Sequence, residues 1–397
     1  MSDEMNDNNE KRRFETDAIR IQAETSSHRE HSVPIFLTSS YVFDDAENMR
    51  AVFAEEITQN TYSRFSNPNC TEFVEKLCAM EGAEAGFAFA SGMSAVFSTF
   101  AALLDSGDHI LSCGSIFGST QGVFTEVLPR WNIATTFAPI GDTESWHGLV
   151  QKNTKILFVE TPTNPGVDLI DLEWLGNFAQ EHELMLIVDN CFATPYLQQP
   201  IRYGADLVLH SATKFIDGQG RVLGGAVVGR EELIYKIYRF ARRTGPTLSA
   251  FNAWLLSKSL ETLAVRMDRH CENALEIALR LEKHNDVESV QYPFLQSSPY
   301  YELAKKQMRA GGGVLALRVS GGLEQGRRFI DTIKMISRTG NLGDTRTIAT
   351  HPASTTHAKV SEESRLSAGI TPGMIRISVG LEHVDDIWQD IEQALRR

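Results

Sequence analysis

The residues of this chain best placed for chemistry sit at 206–225, which read DLVLHSATKFIDGQGRVLGG. Residues 206–209 form a short apolar run of strand character. It delivers Ser211, Thr213 and Lys214 into a segment punctuated by Gly218, Gly220, Gly224 and Gly225. Burial among apolar residues disfavours the charged form of a lysine, and a neutral amine is what Schiff-base chemistry needs. An acid stands upstream: Asp189 ends the apolar run LMLIVD. A carboxylate there can cap a helix or hold a proton on a buried heterocyclic nitrogen. A third feature is Ala90-Ser91-Gly92-Met93, where a strand gives way to a helix. Free backbone N–H groups at a helix start bind anions, and Gly92 lets the backbone come close. Together they provide a lysine for an imine, an acid for a ring nitrogen, and hydroxyls with a helix start for a phosphate. That set fits pyridoxal 5′-phosphate.

The elements that must position these groups alternate along the chain. Strands are expected at 85–89, 109–112, 133–137, 155–160, 184–189, 206–209 and 226–228, and helices from 71 and at 93–104, 120–128 and 172–181. This rhythm predicts a mostly parallel sheet covered by helices on both faces. Ligands on such sheets sit outside the carboxyl ends of the strands, so Ser91–Met93, Asp189 and Ser211–Lys214 are placed to converge on one cleft. Residues 1–60 are expected to be an N-terminal tail and arm, with the apolar stretch 31–43 extended against a partner. Residues 61–248 read as the cofactor-binding α/β domain and 249–397 as a smaller α+β domain. In the latter, 249–284 reads as one long amphipathic helix, unbroken or interrupted, 311–319 and 374–379 as strands, and 341–358 (NLGDTRTIATHPASTTHA) as a polar, irregular loop of the functional or disordered kind.

The 397 residues carry a net charge of −13. That balance argues against a nucleic-acid surface and against docking on anionic lipid. Five scattered cysteines (70, 78, 113, 191 and 271) build neither a disulfide framework nor a zinc site, which predicts a reducing cytosol. The polar start MSDEMNDNNEKRR lacks the apolar core of a signal peptide. Residues 85–104 are free of charge, but they hold Ser91, Gly92, Ser94, Ser98 and Thr99 and read as strand, turn and buried helix rather than a membrane span. No metal site is indicated.

At this point the sequence resembles a known family. The run D-L-x-x-x-S-A-T-K-F-I-x-G-Q is similar to the cofactor-lysine signature of the Cys/Met-metabolism pyridoxal-phosphate enzymes. YSRFSNP at 62–68, SGM at 91–93, ETPTNP at 160–165, VDNCFATP at 188–195 and IRISVGLE at 375–382 follow the family order. The glycines at 218–225 follow the lysine without GxGxxG spacing, so a dinucleotide reading fails. The resemblance implies an aspartate-aminotransferase-like fold (type I of the pyridoxal-phosphate transferases), with Lys214 holding the cofactor and shuttling protons. It implies that Asp189 pairs with the pyridine nitrogen and that Gly92, Met93, Ser211 and Thr213 hold the phosphate. Tyr62 and Arg64 of a neighbouring subunit would join them. Asn164 would contact the phenolic oxygen, Arg376 would grip the substrate α-carboxylate, and Asn341 would be a polar contact to it.

The chain departs from the family at Phe117-Gly118-Ser119-Thr120, where most members carry Y-G-x-T. Phe117 keeps the stacking on the cofactor ring but has no phenol to move a proton. The motifs and compact length resemble the sulfhydrylase branch acting on O-succinylhomoserine. The implied reaction is γ-replacement by sulfide, giving homocysteine and succinate in methionine biosynthesis. Cystathionine γ-synthase, γ-lyase and O-acetylhomoserine sulfhydrylase are the alternatives. His351 and His357 are expected to be structural, and the assembly to be a homotetramer of two dimers in the cytoplasm.

Overall fold

Short runs of β-branched and large apolar residues pair into a central sheet. The computed structural model describes residues 12–359, 361–367 and 369–396. The loose tail expected at the N-terminus lies, for residues 1–11, outside the described residues. The strands of the central sheet are β1 (Ala85–Phe89), β2 (His109–Cys113), β3 (Ala134–Ala138), β4 (Thr154–Glu160), β5 (Met185–Asp189), β6 (Leu207–His210) and β7 (Gly225–Gly229). Their order is β1-β7-β6-β5-β4-β2-β3. Only β7 runs against the others. Every residue of β2, β6 and β7 is buried, as a sheet covered on both faces requires. Helices Pro68–Glu81, Gly92–Leu103 and Glu231–Thr244 pack along the β1–β7 edge.

A second sheet follows: β8 (Val287–Gln291), β9 (Val314–Val319), β10 (Ser337–Arg338), β11 (Ile348–Thr350) and β12 (Met374–Ser378), ordered β10-β11-β12-β9-β8. It has its own apolar core, built around Leu315, Leu317, Phe329, Ile375, Ile377 and Ile391. The long helix expected at 249–284 is two helices, Ala250–Leu260 and Leu263–Glu282, parted at Glu261 and Thr262.

Three expectations need correction. Residues 341–358 are not an irregular loop throughout: β11 lies inside the second sheet, between β10 and β12, and Thr347 to His351 are all buried. Polar side chains stand there because each is paired, as when Thr347 Oγ1 donates to Glu382 Oε2 at 2.7 Å. The helix expected at 120–128 is a short α-helical run (Gly118–Gly122), a π turn and a 3-10 turn ending at Trp131, with Pro129 in the last. Residues 12–60, expected as tail and arm, include the helices Phe14–Arg20 and Ala46–Phe53, both too short to display a clear period. The stretch 31–43 forms no strand; Ser40 makes a single bridge to Tyr62, and Leu37 and Val42 are exposed. Residues 85–104 are β1 followed by the Gly92–Leu103 helix, and no helix among the described residues is long and apolar enough to cross a membrane.

Candidate active site

The carboxyl ends of β4, β5 and β6 finish side by side, and their last side chains set the chemistry. β6 ends at His210, and the chain turns at once, Lys214 N donating to Ser211 O at 3.1 Å and Gly218 N to Lys214 O at 2.8 Å. Buried Ala212 and Phe215 anchor the turn, so Ser211, Thr213 and Lys214 face a cavity of about 230 Å³. Lys214 Nζ donates to Asn341 Oδ1 at 2.5 Å. Burial lowers the pKa of this amine and nearby Arg376 lowers it further; Cys191 and Asp189 pull the other way. Asn341 reaches the lysine because Gly343 lies against the lysine turn. With φ near +74°, a conformation that suits glycine, a Cβ there would stand 2.6 Å from Phe215 N.

Asp189 closes β5. Its Oδ1 accepts from Cys191 N at 3.0 Å. Burial raises its pKa, while the bond from Cys191 and the charges of His210 and Lys214 oppose the rise. Glu160 closes the neighbouring β4 and accepts from Phe117 N at 2.6 Å. Burial and the Asp189 charge hold this carboxyl well above the usual range, against the Phe117 N–H and Arg376.

Arg376 projects from β12 of the second sheet. Nη1 donates to Asn164 Oδ1 at 2.8 Å and Nη2 to Asn341 O at 3.1 Å, while Nε, buried, has no hydrogen-bond partner. Burial draws its pKa down to about 10, and Glu160 opposes the fall. It remains a cation. A buried guanidinium with an open N–H suits a carboxylate.

The helix Gly92–Leu103 points its start into the same cavity. Ser91 caps it, Oγ accepting from Ser94 N at 3.1 Å. A Cβ on Gly92 would stand 2.7 Å from Ser211 Cβ and 2.8 Å from its Oγ, so only glycine lets the helix start meet this hydroxyl. Thr213 Oγ1 is locked to Gly224, 3.2 Å from both its N and O. The ring of Phe117 lines the opening and is 41% exposed, leaving a face free to stack. A helix start and hydroxyls for a phosphate, a buried acid, a lysine amine and an apolar wall including Val96 and Leu209 fit pyridoxal phosphate.

Gly92, Met93, Phe117, Asn164, Asp189, Ser211, Thr213, Lys214 and Arg376 thus line one cavity, with Asn341 in contact with two of them. Tyr62 and Arg64 are not brought there. The Arg64 guanidinium lies over the Phe65 and Tyr62 rings and donates to Arg242 O. His351 is buried, with Nδ1 bonded to Ser354 Oγ and Nε2 to Pro372 O, each at 2.7 Å. Sequence reasoning passed over Glu160, Cys191 and His210, which also line the cavity. The signal for Glu160 was available, since it ends an apolar strand as Asp189 does.

A family profile described as Cys/Met metabolism PLP-dependent enzyme matches residues 15–396. The chain belongs to this family. This enzyme therefore uses pyridoxal phosphate and works in Cys/Met metabolism. It is 46% identical to the O-succinylhomoserine sulfhydrylase of Pseudomonas aeruginosa over 382 residues, covering 96% of this chain and 95% of that one. To the L-methionine gamma-lyase of Fusobacterium nucleatum subsp. nucleatum it is 41% identical over 370 residues, 92% and 93% of the two chains. A Campylobacter jejuni chain provisionally named O-acetylhomoserine (thiol)-lyase, 34% identical, superposes with a TM-score of 0.93 over 97% of this PLP enzyme and 100% of its own length. That structure contains N′-pyridoxyl-lysine-5′-monophosphate.

Proposed function

We propose that this enzyme carries out γ-replacement on O-succinylhomoserine, with sulfide as nucleophile and homocysteine and succinate as products. The observation that carries the reading is the convergence of Lys214, Asp189 and Arg376 on one cavity whose stacking position is Phe117. Likeness to O-succinylhomoserine sulfhydrylases of Pseudomonas aeruginosa and Mycobacterium tuberculosis, at 46% and 44% identity, supports the choice of substrate.

In this reading residues 61–248 seat the cofactor and 249–397 supply the substrate grip. Ser211, Thr213 and the N–H groups of Gly92 and Met93 hold the phosphate, Asp189 the ring nitrogen, Phe117 the ring face and Asn164 the phenolic oxygen. The bound cofactor supplies an electron sink that acidifies the protons next to the substrate amine. Arg376 fixes the α-carboxylate through its open Nε–H edge. This aims the Cα–H at Lys214, whose amine is biased toward the neutral form by burial and so able to accept it. Asn341 holds Nζ between transfers. Lys214 would take the Cα proton, give it back to the conjugated substrate–cofactor system and so be free to take a Cβ proton; succinate would leave from Cγ with the C–O electron pair, HS− would add there, and the two protons would go back to Cβ and Cα. Phe117 takes no proton, so Lys214 carries the transfers alone.

Tyr62 and Arg64 lie away from their own cavity, and exposed Leu37 and Val42 flank them on the arm. In this reading the arm reaches a second copy, whose phosphate site the pair completes, and two such dimers form the tetramer. The five cysteines are all free, which suits the cytoplasm.

A product assay on the cofactor-loaded protein tests the reading. O-succinylhomoserine and O-acetylhomoserine are each offered with sulfide, with cysteine, or without a thiol. Homocysteine from succinylhomoserine and sulfide, at a rate well above the rest, is the expected result. Preferential cystathionine, 2-oxobutanoate without a thiol, or faster use of the acetyl ester would each replace it with the matching alternative.

A further inference from the structure

Beside Asp189 lies a buried polar cluster that the mechanism above does not use. His210 is 1% exposed, and its Nε2 lies 2.8 Å from Glu81 Oε1. Glu81, the last residue of the Pro68–Glu81 helix, is wholly buried. The same Oε1 accepts from Asn190 Nδ2 at 2.9 Å, and Asn190 Nδ2 also reaches Gln198 O at 2.9 Å. Two polar atoms in this cluster have no partner: Glu81 Oε2 and His210 Nδ1. Strands β5 and β6 pair in parallel with Asp189 opposite Leu209, which sets His210 one residue beyond. Both His210 and Asp189 line the cavity.

A buried carboxylate that accepts two N–H bonds and leaves its second oxygen bare needs a cation beside it. The charged and titratable groups near this cluster are Glu81 from the Pro68–Glu81 helix, Glu160 at the end of β4, Asp189 and Cys191 at the end of β5, Lys214 beyond β6 and Arg376 from β12. Lys214 is directed at Asn341. Among the titratable groups here, His210 is the one that touches Glu81. A neutral imidazole would leave Glu81 with no cation beside it; an imidazolium supplies one, adds to the pull of Lys214 on Asp189 and turns its unpartnered Nδ1 into a donor.

We propose that Glu81 and His210 are positioning residues for Asp189, with His210 protonated on both ring nitrogens between the two carboxylates. Glu81 fixes the ring through Nε2–H, and the charge at Nδ1–H keeps Asp189 ionised, so that it holds a proton on the cofactor ring nitrogen. The inference rests on the role given to Asp189 above.

The test uses the cofactor-loaded protein. In ¹⁵N-histidine NMR at pH 8, the His210 signal, assigned by its loss in His210→Gln, should show both nitrogens protonated. A neutral ring would overturn the proposal. Partners standing one step behind a contacting group are worth about 10- to 100-fold at metal centres. His210→Gln and Glu81→Gln are accordingly expected to weaken pyridoxal phosphate binding about tenfold. They should also move the midpoint of the bound cofactor's absorbance titration and lower kcat while leaving KM in place. Folded variants with cofactor Kd and absorbance midpoint within twofold of the parent would refute it. Should His210→Gln fail to fold, a signal that disappears in Glu81→Gln still assigns nothing, so the Glu81→Gln titration alone decides by the same limits. Asp189→Asn serves as the control. If it too leaves cofactor binding unchanged, the role of Asp189 falls rather than the relay behind it.

Discussion

Replacing Arg376 by lysine separates a substrate grip from a merely structural cation. The guanidinium spans Asn164 Oδ1 at 2.8 Å and Asn341 O at 3.1 Å while Nε–H stays free. An ammonium is a point charge and cannot bridge those two acceptors while also meeting a carboxylate. A hydrogen bond to a charged group contributes about 1.5–3 kcal/mol. Losing the Nε–H bond to the substrate carboxylate therefore costs about 1.5–3 kcal/mol, or roughly 10- to 150-fold in kcat/KM. The loss should fall mainly on KM. Leaving Asn164 Oδ1 or Asn341 O bare in this buried place removes about 1–3 kcal/mol of stability as well. Lys214 and Asp189 make no hydrogen bond to the guanidinium, so the absorbance of the bound cofactor and its borohydride trapping should match the parent. Steady-state kinetics with acylated homoserine, beside denaturant melts, give both numbers. A variant that loses stability yet keeps KM within threefold would show that the α-carboxylate is held elsewhere.

Three further outcomes follow from the same geometry. Lys214→Ala should lose at least about 10³-fold in turnover, since a positioned acid–base group contributes about 10²–10⁴, and borohydride should no longer fix cofactor to the chain; full activity would end the mechanism. Gly92→Ala drives a methyl within 2.7 Å of Ser211 Cβ. The overpacking should cost about 1–3 kcal/mol and weaken pyridoxal phosphate binding at least about tenfold by fluorescence titration, and unchanged affinity would remove Gly92 from the phosphate site. His270 is buried, donates Nδ1–H to Val379 O at 2.7 Å and leaves Nε2 unpartnered. Burial lowers its pKa to about 4 from an ordinary 6.5. The unfolded chain therefore takes up the proton first as pH falls, and stability present above pH 6.5 drains away toward pH 4 by about 3 kcal/mol. His270→Gln keeps a donor without titrating, so its stability curve should be flatter over that window; identical slopes would exclude His270 as the cause.

The central sheet was legible because most of its strands are short apolar runs bounded by turn residues, as in LMLIVD before Asn190. Bounds then slipped by only a residue or two, as at β6, expected at 206–209 and found at Leu207–His210. β11 was not legible. Its three residues Ile348–Thr350 carry little apolar signal, and its flanking polar groups are buried only because Glu382 and Pro372 come from distant sequence to pair with them. The site was readable where one segment carries several of its groups, as 206–225 does. His210 and Glu81 were opaque because 129 residues separate them and neither stands in a chemical pattern of its own. Tyr62 and Arg64 show the opposite case: their motif is plain in the sequence, but a single chain does not carry them to its own cavity.

The cavity wall comes from two sheets with separate cores, Lys214, Asp189 and Ser211 from one and Arg376 with Gly340 and Leu342 from the neighbourhood of the other. For the history of such a protein this divides the labour of mutation. Substitutions near β12 and in the segment before β11 reach the cavity from the side that Arg376 supplies. A cystathionine gamma-lyase from Lactobacillus plantarum superposes on 96% of this chain with a TM-score of 0.91 at 32% identity. A chain named for a different reaction thus keeps the same backbone frame.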